Sequence, residues 1–268
     1  MKTTEQDSHY TNLEHLSARE IIQGINAEDH LVADAVQKAL PQVEKLVNGI
    51  VERVRKGGRI FYIGAGTSGR LGVVDASEIP PTYGVRGLFI GLIAGGPKAM
   101  FDAVEGAEDN PAGAWRDLQE YKPTGNDTLV GIAASGTTPY VIGGIRDASS
   151  HGMLTACITC NENAPVADEA DIPIVAVPGP EFVTGSTRMK AATAQKMILN
   201  MISTATMILL GRVKGNKMFD MQLSNAKLVD RGTRMIMEAT GNTDYETAKA
   251  ALLKYGSVRE AVSRLQEA

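Results

Sequence analysis

Cysteine is nearly missing from this chain of 268 residues, where Cys157 and Cys160 are the two present. Two thiols are too few for a disulfide framework, which points to a reducing compartment. An excess of positive charge is missing as well, with 27 Lys and Arg against 31 Asp and Glu, a net charge of −4. Nucleic acid and anionic membrane surfaces call for the opposite balance, so neither is expected as a partner. No apolar run is long enough to span a bilayer. The longest, Met197 to Leu210, is broken by Asn200, Ser203, Thr204 and Thr206 and reads as a buried helix. The amino-terminal sequence MKTTEQDSHY holds no uninterrupted apolar segment of the kind found in a secretory signal, and a cytoplasmic location is expected. The histidines, His9, His15, His30 and His151, share no metal-binding spacing, so no metal is expected, and neither repeats nor low-complexity tracts are seen.

What remains is an ordinary folded composition, 43% apolar and 22% charged. Runs of strand length, rich in Val, Ile and aromatic residues, recur at Arg59 to Gly64, Leu88 to Ala94, Thr128 to Ala134, Met153 to Thr159 and Ile172 to Val177, separated by helix-length stretches. Continuous apolar strands alternating with helices are the pattern of a parallel sheet covered on both faces. The prediction is an α/β protein: a three-layer α/β/α sandwich with a five-stranded parallel sheet over residues 53–220, a helical segment over 1–52 and a small helical module over 221–268. The helical segment opens on a capping box, Ser17-Ala-Arg-Glu20, and carries an apolar stripe, Leu46 included, that needs a partner surface. In the last module Thr243 to Lys254 and Ser257 to Leu265 read as short helices separated by Gly256.

In an open parallel sheet ligands sit outside the carboxyl ends of the strands, and the segments after these strands are alike. The first strand runs into Gly64-Ala-Gly66-Thr67-Ser68-Gly69-Arg70, the third into Ala134-Ser135-Gly136-Thr137-Thr138-Pro139, and the last into Thr184-Gly185-Ser186-Thr187-Arg188. Each combines glycine, which lets a backbone approach a ligand closely, with hydroxyls and a following helix whose first N–H groups and positive dipole end face an anion. Any one such loop is more often a turn with a helix cap; three at one sheet edge favour a phosphate. The spacing Gly64-x-Gly66-x-x-Gly69 also satisfies the dinucleotide fingerprint, but the second strand ends in Ala94-Gly95-Gly96, without the carboxylate that holds a ribose, so no nicotinamide cofactor is expected.

Two groups of carboxylates follow strands at the same edge. Pro80 and Pro81 should end the helix after the first loop near Ser77, leaving Glu78 at its carboxyl end, where the dipole disfavours ionisation. Asp102, Glu105, Glu108 and Asp109 precede Asn110-Pro111, and on a helix Glu105 and Glu108 would share a face. Solvated carboxylates are the commoner explanation in both places, although glutamates in unlike environments are what acid/base chemistry uses. Cys157-Ile-Thr-Cys160 reads as core, because residues three apart on a strand face opposite ways. The methionines from Met197 to Met207 read as packing.

The segments GAGTSGRLGVVDASEIPPTYG (64–84), GLIAGG (91–96), AVEGAEDN (103–110), GIAASGTTPYV (131–141) and TGSTRMKAATAQK (184–196) closely resemble the N-acetylmuramic acid 6-phosphate etherase family, and the similarity begins at NLEHLSAREIIQGINAEDHLVADAV (12–36) and runs almost to the end. The resemblance implies the sugar isomerase fold and a cofactor-free lyase. That lyase splits the lactyl ether of N-acetylmuramate 6-phosphate into N-acetylglucosamine 6-phosphate and D-lactate in cell-wall recycling. It implies Glu78 as the acid and Glu108 as the base, and a homodimer with its sites near the interface. The carboxyl-terminal module looks short against the family. An aldose-ketose isomerase of the same fold, and a non-enzymatic phosphosugar sensor like the glucokinase regulatory protein, are the alternatives.

Overall fold

A computed structural model of the chain describes residues 2–223, 225–241 and 244–267, and divides into two compact units, Met1–Ala76 with Leu88–Ser203, and Ser77–Gly87 with Thr204–Ala268. The first unit holds helix α1 (Ala18–Arg55), strand β1 (Ile60–Gly64) and most of α2 (Gly66–Ser77). The short α3 (Ile79–Tyr83) belongs to the second unit, and the chain then returns to the first with β2 (Phe89–Ile93), α4 (Gly113–Gln119), β3 (Thr128–Ile132), α5 (Pro139–Ser150), β4 (Leu154–Thr159), α6 (Pro165–Glu169), β5 (Ile172–Val175) and α7 (Lys190–Leu209). The second unit continues with the hairpin β6 (Val213–Lys214) and β7 (Lys217–Met218), then α8 (Ala226–Thr240), α9 (Tyr245–Tyr255) and α10 (Val258–Glu267).

The five strands of the first unit form one parallel sheet in the order β2-β1-β3-β4-β5, each within two residues of its expected limits. Gly64 pairs with Ile93 on one side and with Ile132 on the other, and Ile132 pairs with Ile158. The carboxyl ends of the strands therefore stop in register, and the segments that leave them open along one edge. Consecutive residues of β1 meet helices on opposite faces, as alternation along a strand demands. A Cβ added to Gly72 of α2 would lie 3.0 Å from the Tyr62 Cβ, and one added to Gly144 of α5 would lie 2.6 Å from the Ile63 Cδ1. This is the three-layer sandwich, with helices closed tightly onto both faces of β1 at glycine positions.

Two features of the amino-terminal part differ from expectation. The expected helices are one helix of 38 residues with Pro41 inside it, opened by the anticipated capping box: the Glu20 amide donates to Ser17 Oγ at 3.3 Å and the Ser17 amide to Glu20 Oε2 at 2.8 Å. An internal proline costs about 3 kcal/mol. It is outweighed by the buried stripe Val36, Ala39, Val43, Leu46, Val47 and Ile50. That stripe does not wait for a second molecule: α1 packs on β4 and β5, and Leu46 is fully buried within its own unit. The unit boundaries accordingly fall away from residues 53 and 221. α1 groups with the sheet, and the last cut lies inside α7 between Ser203 and Thr204.

In the second unit α9 and α10 pack on α8 around Met235, Ile236, Leu252, Val258 and Ala261. Asn225 and Asp244 cap α8 and α9 by accepting from the Leu228 and Thr247 amides, and Gly241 and Gly256, at φ +70° and +76°, end them. Thr243, the expected start of α9, lies outside the described residues. Among the described residues no helix is long and apolar enough to cross a membrane.

Candidate active site

The first loop is where β1 turns into α2. The helix begins at Gly66 itself, held at φ +52°, and Gly69 lies so close to the strand end that a Cβ there would come within 2.6 Å of the Gly64 carbonyl oxygen. Thr67 is half-buried beside them. The other polar groups of this loop are already engaged. The buried Ser68 donates to Gln195 Oε1 on α7 at 2.9 Å, and Arg70 Nε donates to the Met100 carbonyl at 3.0 Å. Gly66 and Arg70 line a cavity of about 290 Å³ together with Asp102, Glu105 and Glu108. One arginine and three carboxylates thus line the same cavity as a glycine-bounded helix start. Glu105 and Glu108 do not share a helix face as expected: Gly106 is left-handed at φ +70°, which restricts helical geometry to the single turn Ala107–Asp109. Both glutamates are exposed.

The second loop follows β3. Gly136 takes φ +67° against Ala164 and Thr159, where no side chain would fit. Ser135 Oγ and Thr137 Oγ1 are 3.1 Å apart, and the Thr137 amide donates to Ser135 Oγ at 3.3 Å. Thr138 is the N-cap of α5, but its hydroxyl caps nothing. Of the plainer reading, a turn with a helix cap, the cap finds no bond here, while the turn does, in the Ser135–Thr137 pair. Half-buried hydroxyls of Ser135, Thr137 and Thr138 converge on the positive end of a 12-residue helix.

The third segment is not where the sequence puts it. β5 ends at Val175 and α7 starts at Lys190, so Ser186 does not directly follow a strand. It is half-buried in a turn, its amide donating to the Val183 carbonyl at 2.9 Å. The polar core of this segment went unnoticed in the sequence. The buried Glu181 accepts the Lys190 and Ala191 amides at 2.9 Å each, which caps α7, and burial still holds its carboxyl above the ordinary range. The Lys190 ammonium, 1% exposed, pairs with Glu28 of α1 and with the Pro178 carbonyl at 3.1 Å.

Asp75 of α2 was missed too. It accepts from Ser203 of α7 at 3.0 Å, and burial pushes its carboxyl up to about 6, against the Ser203 bond, the nearby Tyr62 hydroxyl and the charge of Lys196. An aspartate following Val73-Val74 on a helix that must cover a sheet was the available signal. The CxxC cysteines are core as expected, with both thiols pushed up to about 12 by burial.

Glu78 belongs to the second unit and is exposed. It does stand after the last residue of α2, but the prolines do not end the helical path. Glu78 keeps αR geometry, φ −83° and ψ −11°, as the N-cap of α3, whose first turn contains Pro80. The dipole of α3 presents its positive end there, so the one-sided field expected at Glu78 is not what the local backbone builds.

Comparison with known proteins agrees with this fold. Residues 42–149 match the glucokinase regulatory protein N-terminal SIS domain. A solved phosphoheptose isomerase from Neisseria gonorrhoeae superposes with a TM-score of 0.52 at 15% identity, covering 70% of this chain and 98% of that one, which places the fold alone. Curated relatives are far more similar. An N-acetylmuramic acid 6-phosphate etherase of Bacteroides thetaiotaomicron is 62% identical over 98% of this chain and 95% of its own length. One of Porphyromonas gingivalis is 58% identical over 99% and 97%. The expected shortening at the carboxyl end is, against these two, no larger than the remainder. At such identity over almost every residue, this chain belongs to the N-acetylmuramic acid 6-phosphate etherase family.

Proposed function

We infer that the protein is a carbon–oxygen lyase that cleaves the D-lactyl ether of N-acetylmuramic acid 6-phosphate, giving N-acetylglucosamine 6-phosphate and D-lactate in amino sugar recycling. The observation that carries this is the 62% identity to an etherase across 98% of the chain. The cavity that joins Gly66 and Arg70 to Glu108 supplies a physical basis.

With the sugar ring open, the C1 aldehyde acidifies the proton on C2. Glu108, on the turn Ala107–Asp109 lining that cavity, removes it, and the electron pair forms the C2–C3 double bond as the lactyl oxygen leaves C3 with a proton from Glu78. Water then adds across the alkene, its oxygen to C3 and a proton to C2. Substrate plus water equals the two products, with no net oxidation or reduction, so the reaction calls for no redox cofactor. The hydroxyls of Ser135, Thr137, Thr138 and Ser186, the helix start at Gly66, Thr67, Ser68, Gly69 and Arg70, and the loop backbone at Gly136 are the groups offered to the substrate phosphate. Ser68 contributes from behind, since its hydroxyl is bonded to Gln195.

A charged sugar phosphate does not cross a bilayer unaided, which supports a cytoplasmic location. We further propose a homodimer. Its surface is not the α1 stripe, which is covered, but draws on apolar side chains left exposed, among them Ile22 on α1 and Phe101 beside the cavity loop. Incubation with N-acetylmuramic acid 6-phosphate tests the function. Stoichiometric D-lactate is the expected result, while a ketose phosphate without lactate would mean an isomerase and binding without turnover a sensor.

A further inference from the structure

The amino-terminal segment brings an ammonium to the second loop, and its path there is fixed by buried bonds. The Thr4 amide donates to Asn161 Oδ1 at 3.1 Å, and Asn161 Nδ2 donates to Thr4 Oγ1 at 2.9 Å and to the Ala134 carbonyl at 3.0 Å. Thr4 and Asn161 are 2% and 1% exposed. One buried amide therefore ties the segment to the residue that precedes Ser135. Ser8 adds two bonds, its amide to Thr184 Oγ1 at 2.9 Å and its hydroxyl to the Phe182 carbonyl at 2.8 Å, and the Tyr10 ring lies 4.6 Å from that of Phe182. Pinned in this way, Lys2 extends Nζ to within 2.8 Å of Thr137 Oγ1.

The loop it reaches is composed of Ser135, Gly136, Thr137 and Thr138. These residues offer donors and a helix dipole but no formal charge. A phosphate monoester brings close to two negative charges, and a charge-assisted hydrogen bond is roughly twice as strong as a neutral one. An ammonium resting on a neutral threonine hydroxyl thus has far more to gain from an anion bound beside it. We propose that Lys2 is the counter-ion of the substrate phosphate, and that residues 2–10 form a strap that delivers it. This rests on reading Ser135–Thr138 as the phosphate loop.

The test is calorimetric titration of the full chain with inorganic phosphate and N-acetylglucosamine 6-phosphate, with N-acetylglucosamine as the uncharged control. Lys2→Gln should weaken both phosphates about tenfold, flatten the dependence of their binding on salt, and spare the control. Lys2→Arg should recover most of the loss. Thr4→Val, which keeps the ammonium but removes a strap anchor, should lose part of it. If Ser135→Ala weakens the phosphates and Lys2→Gln does not, the loop assignment stands and the role of Lys2 is overturned. Failure of both variants to weaken them overturns the loop assignment too. An equal loss for the control would show that Lys2 only supports local structure, which also refutes the proposal.

Discussion

Glu78 and Glu108 differ in what each can be asked to do, and single substitutions separate them. An acid for the leaving oxygen is not needed to deprotonate carbon. Glu78→Gln is therefore expected to lower ether cleavage by about 10²- to 10⁴-fold while leaving exchange of the C2 proton largely intact. Solvent deuterium at C2, followed by NMR, reads the exchange. Its loss together with cleavage would make Glu78 the base or a structural residue. Ser135→Ala should cost phosphosugar binding about 1 to 3 kcal/mol, the effect of leaving a charged acceptor one donor short, and barely change binding of the unphosphorylated sugar. Asp75 gives a prediction in pH. Its carboxyl titrates at about 6 in the folded protein against the ordinary 3.8, so between these values the folded state holds a proton that the unfolded state has released. The stabilising effect of the protonated form is complete below the lower value, declines as pH rises and is gone above the upper one. Asp75→Asn cannot ionise, and should remove a slope of up to about 1.4 kcal/mol per pH unit in that window, read from urea unfolding midpoints.

Helix α1 shows how far an element can be recognised and still be misjudged. Its capping box and stripe were legible because both are local patterns, yet nothing local says what covers a stripe. The sheet of the same unit does, so Leu46→Ala should destabilise the fold by about 2 to 5 kcal/mol in chemical denaturation, and Leu46→Glu should prevent folding rather than separate subunits. An active, folded Leu46→Glu protein would contradict the packing of α1 on β4 and β5. The strands were legible for a related reason, since a sheet covered on both faces leaves continuous apolar runs such as Ile60–Gly64. The first two loops followed from strand ends that stop in register. What the sequence hid were contacts between distant segments: Lys190 with Glu28, Ser203 with Asp75, Asn161 with Thr4. Hydroxyl and charged residues of that kind look solvated until the fold closes around them. Ser186 was misplaced because the glycine-hydroxyl pattern does not say how much chain lies between a strand and its loop.

For the whole molecule, the proposed dimer predicts a light-scattering mass of twice the 28.5 kDa chain at micromolar concentration. A monomer that is fully active would remove the subunit interface from the account. A different consequence follows from the strap. Thr4 and Asn161 are 157 positions apart in the chain. The partners of the strap, at Asn161, Phe182 and Thr184, exist only once most of the sheet has formed. The strap is thus the last segment of its unit to dock during folding, and in the native protein it should be the first to come away, without unfolding the rest. Amide exchange reads this directly: the Thr4 and Ser8 amides should exchange by local opening, orders of magnitude faster than that of Val130 in the central strand. Equal protection at all three would mean that the strap and the sheet open only together.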